Sequence, residues 1–192
     1  MLTLTSVVGQ LANNISGVGN VNATDGTNAA VSGDNSGFSG VFSIDSGSNL
    51  TVGEQRNPGT AAVNDNGMLT VDTASQWTLN NTISGSGNLT KTGAGTLTLT
   101  RDSAAYTGTT DITTGELALG SDDATAVNMA SQLVNVHDSA SFTGYGSTRG
   151  DVNVMQGGVM QMTGFTTGGN LTNSGSVLLT RNDGRPRQHS DC

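Results

Sequence analysis

The sequence repeats itself at one fixed offset, that from Asn13 to Asn81, so any fold it adopts must be able to repeat as well. Asn13, Ile15, Ser16, Gly17, Gly19 and Asn20 recur as Asn81, Ile83, Ser84, Gly85, Gly87 and Asn88, and Val21 is answered by Leu89. The same offset relates Phe38 to Tyr106, Gly40 to Gly108, Ile44 to Ile112 and Gly47 to Gly115, with Leu50 one position out of step with Leu117. A third echo, Gly169-Asn170-Leu171-Thr172, repeats Gly87-Asn88-Leu89-Thr90.

Inside each copy the apolar residues alternate, as in Leu69-Thr70-Val71, Trp77-Thr78-Leu79, Leu97-Thr98-Leu99, Val134-Asn135-Val136 and Val152-Asn153-Val154. A period of two puts those side chains on one face of a short strand. Glycine-rich corners such as Gly85-Ser86-Gly87 and Gly93-Ala94-Gly95 separate the strands. No window shows a helical period capped at both ends; Asp122 to Leu133 has too few apolar positions for a helical stripe. Short strands could build a sandwich, a barrel or a solenoid, and the repeat selects the solenoid, a parallel β-helix. Taking the offset as three coils predicts roughly 23 residues per coil, about eight coils, and a rod of roughly 40 Å at the ~4.8 Å strand spacing. The coils are expected over 1–180, degenerate in the N-terminal part, with a polar, non-repetitive tail over 181–192.

Composition narrows the partners. Leu, Ile, Val and Phe make up about a fifth of the chain, but disorder through charge repulsion also needs many charges, and charged residues are only 11%. Seven Lys and Arg against fifteen Asp and Glu give a net charge of -8, which excludes a nucleic-acid partner that must be gripped by clustered cations. Cys192 is the single cysteine, so no intrachain disulfide can form. Met1 to Thr5 offers no basic start or continuous apolar run of a secretory signal, and no window reaches the ~18 apolar residues of a membrane helix.

Residues 89–99, LTKTGAGTLTL, followed by Tyr106-Thr107-Gly108 and Gly115-Glu116-Leu117-Ala118-Leu119, closely resemble the passenger-associated strand repeat of autotransporters. The resemblance covers 81–120 best and extends to about 180. It implies an all-β, right-handed, single-stranded parallel β-helix of the pertactin-like type, displayed at the cell surface outside the outer membrane as an adhesin or self-associating stalk. Arg101 departs from the pattern, standing where a turn glycine is usual, and the N-terminal copy lacks the Lys-x-Gly-x-Gly element. The alternation stops after Leu179, and neither an export signal nor a membrane barrel is recognisable; the expectation is a truncated fragment, with an inert remnant as the alternative.

Chemistry is scarce. His137-Asp138 is the one His/Asp neighbour pair, yet the alternation of Val134 and Val136 turns His137 outward. Asp122-Asp123 reads as a solvated turn rather than a calcium site. Arg149-Gly150-Asp151 spells an integrin-recognition tripeptide, although the local pattern calls for a glycine turn there in any case. Phe38, Phe42, Tyr106, Phe142 and Phe165 are expected in the core or at coil edges. There is no nucleophile elbow, phosphate loop or zinc spacing. The chain is therefore expected to be non-enzymatic, without cofactor or metal, with a second copy or a host-surface ligand as partner. The rival, a polysaccharide-active enzyme, requires outward Asp with Arg or Lys clustered on successive coils, and no such cluster is visible in the linear sequence.

Overall fold

A computed structural model describes residues 1–180; the tail expected over 181–192 lies outside the described residues. The described residues wind through nine coils. The first three carry two strands each: β1 (Leu2–Thr5) and β2 (Val8–Leu11), β3 (Asn20–Thr24) and β4 (Asn28–Val31), then β5 (Val41–Ile44) and β6 (Asn49–Val52). Coil four adds a third strand, with β7 (Ala62–Asp65), β8 (Met68–Asp72) and β9 (Trp77–Leu79), as does coil five, with β10 (Ile83–Ser84), β11 (Asn88–Thr92) and β12 (Thr96–Leu99). Coil six holds β13 (Thr109–Ile112), β14 (Gly115–Leu119) and β15 (Val127–Met129). The remaining coils are β16 (Leu133–Val136) with β17 (Ala140–Thr148), β18 (Asp151–Val154) with β19 (Val159–Thr167), and β20 (Leu171–Asn173) with β21 (Ser176–Thr180).

Every strand pairs in parallel with its counterpart one coil away, which makes the molecule a parallel β-helix. One sheet, β2-β4-β6-β8-β11-β13-β16-β18-β20, runs the whole length. A second sheet, β1-β3-β5-β7-β10, occupies the N-terminal half, and a third, beginning at β9 and running through β12, β14, β17, β19 and β21, occupies the C-terminal half. In coils one to three, the side that the third sheet later covers is formed by irregular loops. Beyond β10 the long strands β17 and β19 cover the corner instead. Their register shifts between Tyr145 and Ser147, where Gly144 and Gly146 adopt positive φ (105° and 147°), and such a bulge bends a strand.

The interior is a set of stacked columns. In the full-length sheet Val31, Val52, Val71, Lys91, Ile112, Val136 and Val154 stand directly above one another, all buried. Ala29, Leu50, Leu69 and Leu89 form the neighbouring column. Each buried aliphatic contributes about 1.5–3 kcal/mol, and only where the adjacent coil covers it. The intervening positions, Thr51, Thr70, Thr90, Asn135 and Asn153, point outward and are partly exposed.

The coil is shorter than the repeat suggests. Register partners run Ala29, Leu50, Leu69, Leu89, Thr110, Val134, Val152 and Leu171, and every interval but that from Thr110 to Val134 falls below the expected length. A coil thus takes roughly 20 residues, at the lower end of solenoid repeats. Nine coils replace the expected eight, and the sequence offset corresponds to three coils plus one further side. Val21 and Ile44 lie in the N-terminal sheet, whereas their repeat partners Leu89 and Ile112 lie in the full-length one. What recurs is a strand with its corner, and that unit fits on adjacent sides of the helix. Gly17 bridges Phe38 just ahead of β3 and β5; Gly85 bridges Tyr106 just ahead of β11 and β13.

The corner explains two features of the repeat. A Cβ on Gly108 would lie 1.6 Å from the carbonyl oxygen of Gly87, and one on Gly40 would lie 1.7 Å from that of Gly19, so only glycine lets these corners stack. Tyr106 sends its hydroxyl across the coil: it accepts from the Leu89 amide at 2.8 Å and donates to the Thr109 carbonyl at 2.6 Å. Phe38, its counterpart, lacks that hydroxyl and packs edge-on to Phe42 with ring centroids 5.1 Å apart.

Candidate functional site

The residues singled out by sequence are scattered along the rod. Arg149 and Asp151 are exposed at the corner between β17 and β18. The corner is fixed by its neighbours: Gly150 N–H donates to the Ser131 carbonyl (2.9 Å), Thr167 Oγ1 donates to the Gly150 carbonyl (2.6 Å), and Asp151 Oδ1 accepts from the Asn170 amide (2.7 Å). A Cβ on Gly150 would meet the Gln132 carbonyl oxygen at 1.9 Å, so coil stacking alone requires this glycine. His137 faces outward, its Nε2 3.2 Å from Asp111 Oδ1 on the coil before. Asp122 caps a short 3-10 turn (Asp123–Thr125) through its carboxylate and the Thr125 amide. Phe38, Phe42, Tyr106, Phe142 and Phe165 are all buried. The described residues contain no group of three or more His, Cys, Asp or Glu able to hold a metal ion.

Two buried charged side chains among the described residues escaped the sequence reading. Lys91, 0% exposed, lies in the aliphatic column between Val71 and Ile112. Its Nζ donates to the carbonyls of Thr92 (2.7 Å), Gly93 (2.8 Å) and Thr114 (3.2 Å), tying the corner of its own coil to the next. Burial lowers its pKa, with Asp72 and Glu116 opposing. The N-terminal copy places Ala23 in this slot, so the lysine clamp belongs to the C-terminal copy. Asp65, also 0% exposed, accepts from the Gly67 amide through Oδ1 at 3.0 Å while Oδ2 has no partner. Burial pushes its carboxyl up to about 6, against the lowering effect of the Gly67 and Leu69 amides.

Outward polar side chains bond along the axis from coil to coil. Asn49 Nδ2 donates to Asn28 Oδ1 (3.0 Å), and Thr70 Oγ1 donates to Asn49 Oδ1 (2.9 Å). Asn135 donates to Asp111 (2.9 Å) and Thr92 to Asp72 (2.9 Å), and on the third sheet Glu116 accepts from both Thr96 and Thr143. The result is a pre-ordered polar face along the rod.

The loop side of coils two to four holds a recess. A groove of about 570 Å³ is lined by Ser36, Glu54, Gln55, Arg56, Gly59, Thr60, Ser75 and Trp77. At its lip Arg56 Nε donates to Glu54 Oε2 (3.0 Å), and its Nη1 lies 3.8 Å from Asp34 Oδ2. This is the acidic and basic cluster on successive coils that the linear sequence did not display. Ser36, bonding through hydroxyl and amide, holds the Asp34 carboxyl below the usual range, with Arg56 adding to the effect. Buried Asn57 braces the wall: its Oδ1 accepts from the Gly53 (3.0 Å) and Glu54 (2.8 Å) amides and its Nδ2 donates to the Gly33 carbonyl (3.1 Å).

Stacked coils, polar outer faces and glycine corners define a β-solenoid. Residues 89–119 match the family model described as passenger-associated-transport-repeat, and this match together with the β-solenoid fits an autotransporter passenger-like β-helix. It is 54% identical over 158 residues to an uncharacterized lipoprotein, YdeK, of Escherichia coli K12, a match covering 82% of this chain and 12% of that protein. It is 40% identical over 130 residues to the uncharacterized protein YuaQ of the same strain, covering 65% of this chain and 9% of that one. The chain thus spans about a tenth of the length of these curated relatives. No solved structure matches it. Among the described residues no helix is long and apolar enough to cross a membrane.

Proposed function

We propose that this chain is a non-enzymatic interaction segment of a surface-displayed passenger, a stalk whose flat polar faces act in self-association or in adhesion to a host surface. The observation behind it is the axial bonding of Asn28, Asn49 and Thr70, continued by Asp111 with Asn135. Side chains already held in place lose little entropy when a second surface meets them. Many weak contacts along a rod then add where no single pocket suffices. The sheets are parallel and the inner coils pair with a neighbour on each side, so along the rod contact falls on outer faces, while the strand edges of the first and last described coils stay open. The passenger-associated repeat and the word lipoprotein in a relative's name favour a place at the cell envelope. Asp34 and Glu54 share one guanidinium, the arrangement the polysaccharide-active rival would need, and Ser36 with Arg56 holds the Asp34 carboxyl below its usual range.

The test is sedimentation equilibrium, with cell aggregation by the whole passenger, comparing the native sequence with Thr70→Lys/Thr90→Lys/Asn135→Lys. The native rod is expected to associate and the lysine-bearing rod to stay monomeric with an unchanged melting temperature. A native rod that is strictly monomeric and aggregates no cells would remove the reading.

A further inference from the structure

The groove beside Trp77 does not take part in the polar outer faces and calls for a separate account. We infer that it is a binding site for a neutral oligosaccharide, seated along the rod axis. Its lining comes from three successive coils: Ser36 from coil two, Glu54 to Thr60 from coil three, Ser75 and Trp77 from coil four. At the ~4.8 Å coil spacing it therefore runs about 10 Å along the axis, a length suited to a linear ligand rather than an ion.

The chemistry of the walls selects the class. Trp77 supplies an aromatic surface at the inner wall; it is 7% exposed, and its buried Nε1 has no hydrogen-bond acceptor. Around it stand the hydroxyls of Ser36, Thr60 and Ser75, the Gln55 amide and the Glu54–Arg56 pair. Sugar hydroxyls both donate and accept, so they can meet hydroxyl, amide, carboxylate and guanidinium groups together, while the small exposed part of the Trp77 indole offers an apolar contact to ring C–H groups. Two carboxylates, Asp34 and Glu54, face one guanidinium, Arg56, so the lip is net negative within a chain of charge -8 and repels an anionic polysaccharide. An extended peptide would bind by adding to an exposed sheet edge. The strand edge beside the groove is that of β9, which pairs with β12 on one side alone and is three residues long, so strand addition would give a peptide only a short ladder. The wall is also braced in advance by Asn57, and by Asn35 Nδ2, which donates to the Asn57 carbonyl at 2.6 Å; preorganisation of this kind favours binding.

Trp77 is the single tryptophan of the chain and reports on its own groove. The experiment titrates the full chain with cellotetraose, chitotetraose and maltotetraose, with trigalacturonate as the anionic probe and a Gly/Ser/Thr tetrapeptide as the peptide probe. It follows Trp77 emission, with calorimetry alongside. At least one neutral tetrasaccharide is expected to bind saturably with Kd on the order of 1 mM or tighter. Glu54→Ala/Arg56→Ala, both on the exposed lip, is expected to weaken that binding about tenfold, worth ~1.4 kcal/mol, without lowering the melting temperature. Trp77→Phe, followed by calorimetry, is expected to weaken it also. Absence of saturable binding by all three neutral sugars overturns the inference. So does tighter binding of the galacturonate or the peptide, or an unchanged affinity in the double variant. Because the measurement uses isolated rods, it can fail while self-association stands, and the reverse.

Discussion

Asp65 should make the rod more stable in mild acid than at neutral pH. Its side chain is 0% exposed, one carboxylate oxygen has no partner, and its pKa is raised from 3.8 to about 6 by burial. A carboxyl whose folded pKa exceeds its unfolded value binds protons more tightly when folded. Its effect on stability is therefore absent below the unfolded value, grows unfavourable as pH rises from 3.8 towards 6, and is constant above. The full difference, at 1.36 kcal/mol per pH unit, is about 3 kcal/mol. Between about pH 4.5 and 7.5 the same linkage leaves about 2 kcal/mol. Asp65→Asn removes the titration and keeps an oxygen for the Gly67 amide. Its new N–H pair inherits the unpartnered position at a cost of about 1–3 kcal/mol, so the pH slope, not the absolute stability, is the clean observable. Urea unfolding followed by Trp77 emission reads the same coil, since Asp65 and Trp77 both lie in coil four. The native chain should lose about 2 kcal/mol more than Asp65→Asn across that pH range. Parallel pH profiles for the two proteins would refute the reasoning.

Other perturbations probe other parts of the rod. Lys91→Ala leaves three carbonyls without their donor and opens a gap between Val71 and Ile112; a loss of about 3–5 kcal/mol is expected in denaturant unfolding, and Lys91→Met should lose less. Gly108→Ala sets a methyl group against the Gly87 carbonyl oxygen and should abolish a cooperative melt, whereas Gly47→Ala, with open space around it but φ at 80°, should cost only about 1 kcal/mol. Self-association of a chain with net charge -8 should strengthen as salt rises from low ionic strength, and an association that weakens with salt would count against the polar-face reading.

Much of this architecture was legible before the fold was seen. Leu69-Thr70-Val71 and Val134-Asn135-Val136 gave strand, buried face and outward polar row at once, because side-chain alternation is fixed by the pleat. Coil length was not legible, since the repeating unit is a strand and corner and can shift to an adjacent side; Val21 and Leu89 look equivalent yet lie in different sheets. Lys91 and Asp65 could have been found by parity alone. Each stands two positions beyond a buried aliphatic, Leu89 and Val63 respectively, and so points inward whatever its charge. The groove could not be found that way. Asp34, Glu54 and Arg56 meet only when coils two and three are laid in register, and residues 53–61 have no alternation to set that register.

Stacking of successive coils is most directly tested by distances between pairs of spin labels on the outer column, with one label at Thr51 and the other at Thr90, Asn135 or Asn153, after Cys192→Ser. These positions are two, four and five register steps apart. Separation should rise in proportion, by about 4.8 Å per step, to roughly 24 Å. Distances that do not increase steadily along this series would contradict the stacked-coil account.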